Sequence, residues 1–409
     1  MKLSQTFIKT LREAPKDETA KNGALLTRAG YIHKEMAGVY DYLPLGLRVL
    51  ENIKSIIRDE LGKLGCEEVF MSALQNPEPW EKTGRFSDQE VDIWFKTELS
   101  AGGELGLAPT HEEPMIELVK KYIRSYKDLP FAVYQFQNKF RNELRAKSGI
   151  LRGREFMMKD LYSFHTTEED LDQFYAKVEG AYARIYERVG LGDCTFETFA
   201  SGGIFSKFSH EYQTLLPVGE DDIYYNSDKS LVFNKEVFKD DVLAEFGTKK
   251  SDFQMSTGAE VGNIFKLKLK YSEPLELKYT AEDNSTQTVY MGCYGIGVTR
   301  LMGVIAEKYA DDKGLIWPES VAPYQYYLIG IGKQGISQAS ELYSGHEDSI
   351  IYDDRDVRVG EKLSDSELMG IPYRIVVSDK TLASDSAEVT NRLTGQTKLV
   401  KISRLFNGQ

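Results

Sequence analysis

Phe131-Ala-Val-Tyr-Gln-Phe-Gln-Asn-Lys-Phe-Arg141 and Glu155-Phe-Met-Met-Lys-Asp-Leu-Tyr-Ser-Phe164 are two aromatic-rich runs separated by a basic, glycine-containing segment. Their composition predicts two strands, and the segment between them makes an antiparallel hairpin with a long loop. Phe140-Arg141-Asn142-Glu143 closes the first strand, and Arg152-Gly-Arg-Glu-Phe156 opens the second. Residues near two such ends can face one pocket, where Arg141 and Arg152 would grip different phosphates of one nucleotide. The guanidinium suits that task because its planar fork binds phosphate oxygens bidentately and never deprotonates. Phe156 would stack on a base, and Glu143 would accept from an exocyclic amine. On the hairpin alone, surface arginines around one core phenylalanine stay open as the alternative.

On the N-terminal side, Leu47, Leu50, Ile53, Ile57, Leu61 and Leu64 recur at spacings of three and four, with Pro44 before them and Gly65 after. That pattern predicts a helix with proline near its first position and glycine at its stop. A strand over Cys66–Met71 should follow, and a second helix from Glu112 to about Ser125. Pro109-Thr-His-Glu-Glu113 leads into that second helix, with Thr110 placed as its N-cap and Glu113 completing a capping box. Glu112 is then free to bind an ammonium.

On the C-terminal side, residues 223–258 are polar with no clean period and are read as a connector with local structure. Strands over 259–300 end in Met291-Gly-Cys-Tyr-Gly-Ile-Gly-Val-Thr-Arg300, followed by a helix. This run lacks the Gly-Lys-Ser/Thr of a phosphate loop and the third glycine and acidic residue of a dinucleotide fingerprint. Its glycines before a helix still allow a ligand close to the backbone, and Arg300 would add a third cation; close strand–helix packing is the competing account. Pro318 and Pro323 bracket an expected boundary. After Tyr324, short apolar runs at Tyr327–Gly332, Ser349–Tyr352 and Tyr373–Val377 alternate with helical segments, which predicts a small α/β domain with a mostly parallel sheet.

The 409 residues suggest two or three domains, and the ordinary apolar and charged content excludes wholesale disorder. No apolar run reaches the ~18–20 residues a membrane span needs. The charged start, MKLSQTFIKTLREAPKDE, does not resemble a signal peptide, so a cytoplasmic location and no membrane partner are expected. Cys66, Cys194 and Cys293 are too far apart for a CxxC knuckle, and the five histidines form no HxxxH pair, so no protein-bound zinc is expected. The formal net charge is −12, yet residues 120–160 hold eleven Lys/Arg against four Asp/Glu, a local +7. Such an island fits one polyanion site on an acidic protein, or a solvated basic face. Arginines for phosphate and carboxylates for an amine, with no defensible nucleophilic triad, suit phosphoryl or nucleotidyl transfer by positioning and charge stabilisation.

Taken together and in order, these segments resemble the signature motifs of class II aminoacyl-tRNA synthetases, and among them the bacterial-type prolyl-tRNA synthetases. The matching stretches are Arg28-Ala-Gly-Tyr-Ile with Tyr42-Leu-Pro-Leu-Gly, Ala108-Pro-Thr-His-Glu-Glu, Lys139-Phe-Arg-Asn-Glu, Arg154-Glu-Phe-Met-Met-Lys-Asp-Leu-Tyr-Ser-Phe-His165, Ser209-His-Glu211, Gly219-Glu-Asp-Asp222, Met291–Arg300, and Asp353-Asp-Arg355 with Gly370-Ile-Pro372. The resemblance implies an α+β chain, with a class II antiparallel-sheet catalytic domain over 1–320 and an α/β anticodon-binding domain over 324–409. It implies proline, ATP with Mg²⁺, and tRNA(Pro) as partners, and a homodimer formed largely through residues 44–75. Carried over residue by residue, Thr110 and Glu112 bind the proline imino group. Arg141 bridges the proline carboxylate and the α-phosphate, and Asp160 and His210 wall the amino-acid pocket. Glu143 and Phe156 hold adenine, while Arg152 and Arg300 hold the triphosphate tail. Arg145 meets the tRNA acceptor end, and Asp354 and Arg355 are the expected anticodon contacts.

Four departures from the family pattern stand out. Ser72 replaces the motif 1 proline. About 36 residues occupy the place where bacterial members often carry a large insertion that hydrolyses mischarged alanyl-tRNA, so no editing in cis is expected. Phe205-Ser-Lys-Phe208 replaces a small glycine-rich stretch, and Asn263 stands where a histidine is usual. A catalytically silent paralogue that binds tRNA or a protein partner is the alternative; intact Arg141, Arg152 and Arg300 argue against it. A synthetase for threonine or histidine is opposed by the absent zinc ligands and by the Pro-Thr-His-Glu-Glu motif.

Overall fold

The structure is a computed structural model that describes residues 1–144, 146, 148–202 and 208–406. The chain divides into two compact units: one of residues 37–39 and 54–304, the other of residues 1–36, 40–53 and 305–409. Among the described residues no helix is long and apolar enough to cross a membrane. The helix announced by the leucine–isoleucine spacing, α1, spans Pro44–Gly62, with Leu50, Ile53, Ile57 and Leu61 buried.

The first unit is built on one sheet of nine strands: β1 (Glu67–Glu68), β2 (Phe131–Phe140), β3 (Glu155–His165), β4 (Thr195–Ser201), β5 (Phe208–Leu215), β6 (Asp221–Asn226), β7 (Val232–Asn234), β8 (Phe253–Lys268) and β9 (Tyr290–Gly297). Their order is β5-β4-β7-β6-β8-β9-β3-β2-β1, with β5 also pairing β8. The expected hairpin is β2–β3, in antiparallel register from Phe131 opposite Phe164 to Phe140 opposite Glu155. Its strands are largely buried on both sides because both faces are covered. Helix α2 (Glu112–Val119) sets Met115, Ile116 and Val119 against Val133, Tyr162, Phe164 and Met291. On the other face, helix α3 (Glu168–Arg188) buries Tyr175, Val178, Tyr182, Ile185 and Tyr186 at helical spacing. Thr167 caps it by accepting from Asp170 N, and three acidic residues fill its positive first turn.

Several expectations are corrected here. The strand after α1 is only two residues long, because beyond Val69 the side chains of Gln135 and Gln137 take over the backbone bonds of Met71. Helix α2 stops at Val119, and its N-cap is His111. Thr110 and Glu113 form no capping box: Thr110 donates to Glu112, and Glu113 turns to Arg85 and Thr83. Residues 223–258 are no mere connector, since β6, β7 and the start of β8 belong to the main sheet. A cluster of Phe199, Phe208, Phe233, Phe238, Phe246 and Phe253 holds them down. Each of these elements is too short to display a period, which is why the segment reads as irregular.

The second unit carries a five-stranded sheet of β10 (Tyr326–Ile331), β11 (Ile350–Asp353), β12 (Tyr373–Ser378), β13 (Ser386–Asn391) and β14 (Thr397–Lys401), in the order β11-β10-β12-β13-β14. The three expected strands are parallel, with helices Gly332–Tyr343 and Val359–Met369 between them. The last two are antiparallel and largely polar, and the apolar-run signal misses them. The N-terminus packs onto this unit: the Met1 ammonium donates to Ile350 O at 2.7 Å, and Tyr352 N donates to Met1 O at 2.9 Å.

Candidate active site

A cavity of about 300 Å³ opens on the sheet of the first unit, lined among others by Thr110, Glu112, Arg141, Glu143, Arg152, Phe156, Glu260, Asn263, Cys293 and Arg300. A second hollow of about 190 Å³ shares Arg141, Glu143, Arg152, Glu260 and Arg300 and is bounded by Glu220 and Asp221. Seven of the sequence-predicted residues therefore converge: Thr110, Glu112, Arg141, Glu143, Arg152, Phe156 and Arg300. The hairpin brings Arg141 and Arg152 together from facing strand ends. Arg300 arrives from the first turn of the helix Val298–Tyr309, directly after the glycine run of β9.

One end of the cavity is built for a cation. Thr110 Oγ1 donates to Glu112 Oε2 at 2.7 Å, and the Cys293 thiol donates to Oε1 at 3.3 Å. Burial pushes the Glu112 carboxyl up, but Arg85 and the Thr110 hydrogen bond outweigh it and hold the group below the usual carboxylate range. Burial also raises the Cys293 thiol, and Glu112 adds to the rise, so cysteine stays a neutral donor.

The other end is built for anions. Arg141 donates through Nε to Pro109 O at 3.3 Å and lies 5.2 Å over the Phe156 ring. Arg152 is forked on Glu143 at 2.8 and 3.2 Å and reaches Glu220 at 3.0 Å. Arg300 donates to Leu151 O at 2.7 Å and to the Glu260 carbonyl. Asn263 Oδ1 and Thr299 Oγ1, both on the lining, are buried without a partner among the described residues and can serve a ligand. Carboxylates gather beside the arginines. Glu211 accepts from Gln213 and Asn234, and burial together with Glu260 pushes it up to about 7. Two mutually repelling oxygen donors beside a group of arginines suit a hard divalent cation.

Other predicted residues lie elsewhere. Asp160 is buried behind the cavity, accepting from Lys139 at 2.7 Å and from Gln135 and Tyr162 at 3.0 Å. Lys139 also donates to His111 Nδ1 at 2.8 Å, which leaves His111 Nε2 to donate to Ser72 O at 3.0 Å. Burial and Lys139 lower His111 to about 4, so it is neutral at physiological pH. His210 is not on the lining. Its Nδ1 faces Tyr175 at 3.1 Å, Glu179 at 3.2 Å and Glu197 at 3.4 Å. Glu211 is not on the lining either; in the β5–β8 register it stands opposite Asn263, which is, and strand alternation puts it on the other face of β5 from His210. Arg145 and Phe205 lie outside the described residues. In the second unit, Asp354 accepts from Ser4 N and Oγ at 2.8 and 2.6 Å. Arg355 is forked on Asp353 at 2.8 and 2.7 Å and bonded to Asp365 at 2.7 Å. Glu260, Asn263, Cys293, Thr299 and Arg85 belong to the site and were not singled out as its ligands from sequence.

Residues 95–309 match the family model of the tRNA synthetase class II core domain (G, H, P, S and T), and residues 325–408 match that of an anticodon binding domain. A proline–tRNA ligase of Wolbachia sp. subsp. Drosophila simulans is 37% identical, covering 100% of this chain and 99% of the relative. The proline–tRNA ligase of Geobacillus kaustophilus is 34% identical with the same coverages, but the alignment runs to 566 positions, so that relative carries a long stretch this chain lacks. Among solved structures, prolyl-tRNA synthetase of Giardia lamblia, in complex with prolyl-adenylate, superposes with a TM-score of 0.75 at 20% identity over 93% of this chain and 74% of that one. The enzyme of Cryptosporidium parvum gives 0.77 at 18% identity, over 94% and 74%. The fold is thus that of a class II synthetase, and with full-length identities above a third, the chain belongs to the proline–tRNA ligase family, in a form without the long stretch of the Geobacillus relative.

Proposed function

We propose that the protein activates proline with ATP to prolyl-adenylate and transfers the prolyl group to tRNA(Pro). The observation that carries this reading is one cavity holding a carboxylate end, Thr110 and Glu112, and a cationic end of Arg141, Arg152 and Arg300. Glu112 and Thr110 bind the secondary ammonium of proline. Arg141 bridges the proline carboxylate and the α-phosphate. Phe156 and Glu143 hold adenine, and Arg152 and Arg300 hold the bent triphosphate tail. The proline carboxylate attacks the α-phosphorus in line and pyrophosphate leaves. The nucleophile is already ionised, so the protein supplies positioning and charge neutralisation rather than a base. Glu260 and Glu211 are the residues suited to hold Mg²⁺, which supplies further neutralisation of the phosphate oxygens when bound. Asp160 supports the amino-acid end from behind, through Lys139 and Tyr162.

Residues 1–320 serve as the catalytic part and 324–409 as the anticodon-binding part, with Asp354 and Arg355 as anticodon contacts and Arg145 at the acceptor end. A cytoplasmic homodimer through residues 44–75 fits the exposed Phe70 and Leu74 of that segment, 82% and 54% accessible. ATP–pyrophosphate exchange against a panel of twenty amino acids tests the assignment: proline alone should drive it strongly, and exchange driven by another amino acid, or none, would overturn it. A pocket shaped for the proline ring rejects alanine only by lost contacts, roughly 1–3 kcal/mol per missing methylene. Alanyl-adenylate should therefore be detectable. Added alanyl-tRNA(Pro) should lose alanine no faster than spontaneously, and faster release would reveal a hydrolytic site in this chain.

A further inference from the structure

Glu112 is served from inside the cavity by Thr110 and Cys293, but its charge is balanced from outside it. Arg85, a partly buried side chain absent from the lining, lies between two aromatic rings, 5.0 Å from the centroids of both Trp80 and Tyr271. Its Nη1 reaches Glu112 Oε2 at 3.4 Å and the two oxygens of Glu113 at 2.9 and 3.0 Å. Glu113 is wholly buried and is bonded to Thr83 at 2.8 Å. Two adjacent buried carboxyls thus share one guanidinium, a geometry in which the cation decides how much negative charge the pair can hold.

We propose that Arg85 is a positioning residue for amino-acid recognition, fixing the Glu112 carboxylate and its negative charge toward the cavity so that it meets the ammonium of the substrate. The inference rests on the reading that this ammonium docks at Thr110 and Glu112. Burial, with Glu112 adding, raises Glu113 to about 7, so Glu113 is the member of the pair that carries the proton when one is bound. Without Arg85 that burden extends to Glu112. The other titratable groups facing Glu112 are Cys293 from β9, His111 beside it, Tyr271 and Lys270 from the segment after β8, and Lys139, Arg141 and Tyr162 from the hairpin. Lys139 is paired with Asp160, and Arg141 faces the anion end, so neither replaces Arg85 on the Glu112–Glu113 pair.

The test is steady-state ATP–pyrophosphate exchange by the full chain, its Arg85→Met and Arg85→Lys variants, with proline, ATP and pH varied in turn. Arg85→Met should raise the KM for proline roughly 10- to 100-fold, the scale of one charge-assisted hydrogen bond, while the KM for ATP stays within about twofold. Losing the cation raises the pKa of Glu112. Its anion is then depleted as pH falls, and kcat/KM for proline should drop toward acid over a range where wild type is flat. Arg85→Lys keeps the charge without the fork, so the acid limb should stay flat while KM rises only a few-fold. An unchanged proline KM and pH profile in Arg85→Met overturns the inference, as does a parallel rise of both KM values with no new acid limb. Should Arg85→Met not fold, a wild-type proline KM in Arg85→Lys overturns it equally. Absence of proline-driven exchange in wild type would instead sink the functional reading itself.

Discussion

Arg141 and Arg355 carry the same guanidinium into opposite surroundings. Arg141 directly follows β2 of the large sheet, lies over Phe156 on the cavity wall, and among the described residues forms no ion pair. Arg355 follows β11 in the other unit and is held by Asp353 and Asp365 through three charge-assisted bonds. One is a cation whose partner must be a ligand; the other is a cation already neutralised by its own fold. Local charge in the sequence does not separate them, because both sit in arginine-containing, partly acidic stretches. The partners that separate them come from elsewhere in the chain or are substrates. Removing Arg141 should therefore cost ATP–pyrophosphate exchange at little cost in stability, and removing Arg355 should cost stability while sparing exchange.

The largest effect expected is in Arg141→Ala. A preorganised cation at the point where negative charge develops is worth about 100-fold or more in rate, so exchange should fall by at least that much with little change in thermal unfolding. Near-normal exchange in this variant would erase the contrast.

Arg355→Met tests the other side. Asp353 is fully buried, and losing its cation strands the charge, which costs about 3–5 kcal/mol. Burial pushes the Asp353 carboxyl up, but its hydrogen bonds from Arg355 and Tyr327 outweigh this and hold it below the usual range. A carboxyl depressed in the folded state contributes stability above its unfolded pKa and loses that contribution as pH falls through the folded one. The acid limb of stability should accordingly move to higher pH in Arg355→Met. Chemical unfolding followed across the acidic range reads both effects, and a variant as stable as wild type would show that the Asp353 and Asp365 pairs carry no part of the fold.

These two arginines also mark how far the sequence was legible. The hairpin, α1, the glycine run and the three parallel strands announce themselves through local composition and period. Five cavity residues follow from the hairpin and the glycine run, whereas Glu112 came from the Pro-Thr-His-Glu-Glu segment and Thr110 as a ligand from the family resemblance. What escaped depends on contacts remote in sequence. Arg85 reaches Glu112 from 27 residues away, across the two short strands Phe95–Glu98 and Glu104–Leu107. The aromatic cluster around Phe233 hides among polar residues because each contributing element is short. His210 came with the family resemblance, and its contacts with Tyr175, Glu179 and Glu197, which no local pattern shows, lie off the cavity lining. Asp354 and Arg355 lay in a matching motif, yet only the structure shows one tied to Ser4 and the other to two carboxylates.

Asp354 is the finest test of the contrast, because it lies between the two cases. Its contacts to Ser4 N and Oγ are solvent-exposed, so Asp354→Ala should cost only about 0.5–1.5 kcal/mol of stability and leave exchange unchanged. If its carboxylate also meets an anticodon base edge, as proposed, the KM for tRNA(Pro) in aminoacylation should rise while proline and ATP parameters hold. Ser4→Ala separates recognition from scaffolding, because it removes the Ser4 hydroxyl contact and leaves the Asp354 carboxylate in place. An equal rise in tRNA KM in both variants would make Asp354 a clamp for the N-terminus. A rise in Asp354→Ala alone would make it a reader of RNA. Deleting residues 324–409 could not make this distinction, since it would also remove β11, to which Met1 is bonded at Ile350 and Tyr352.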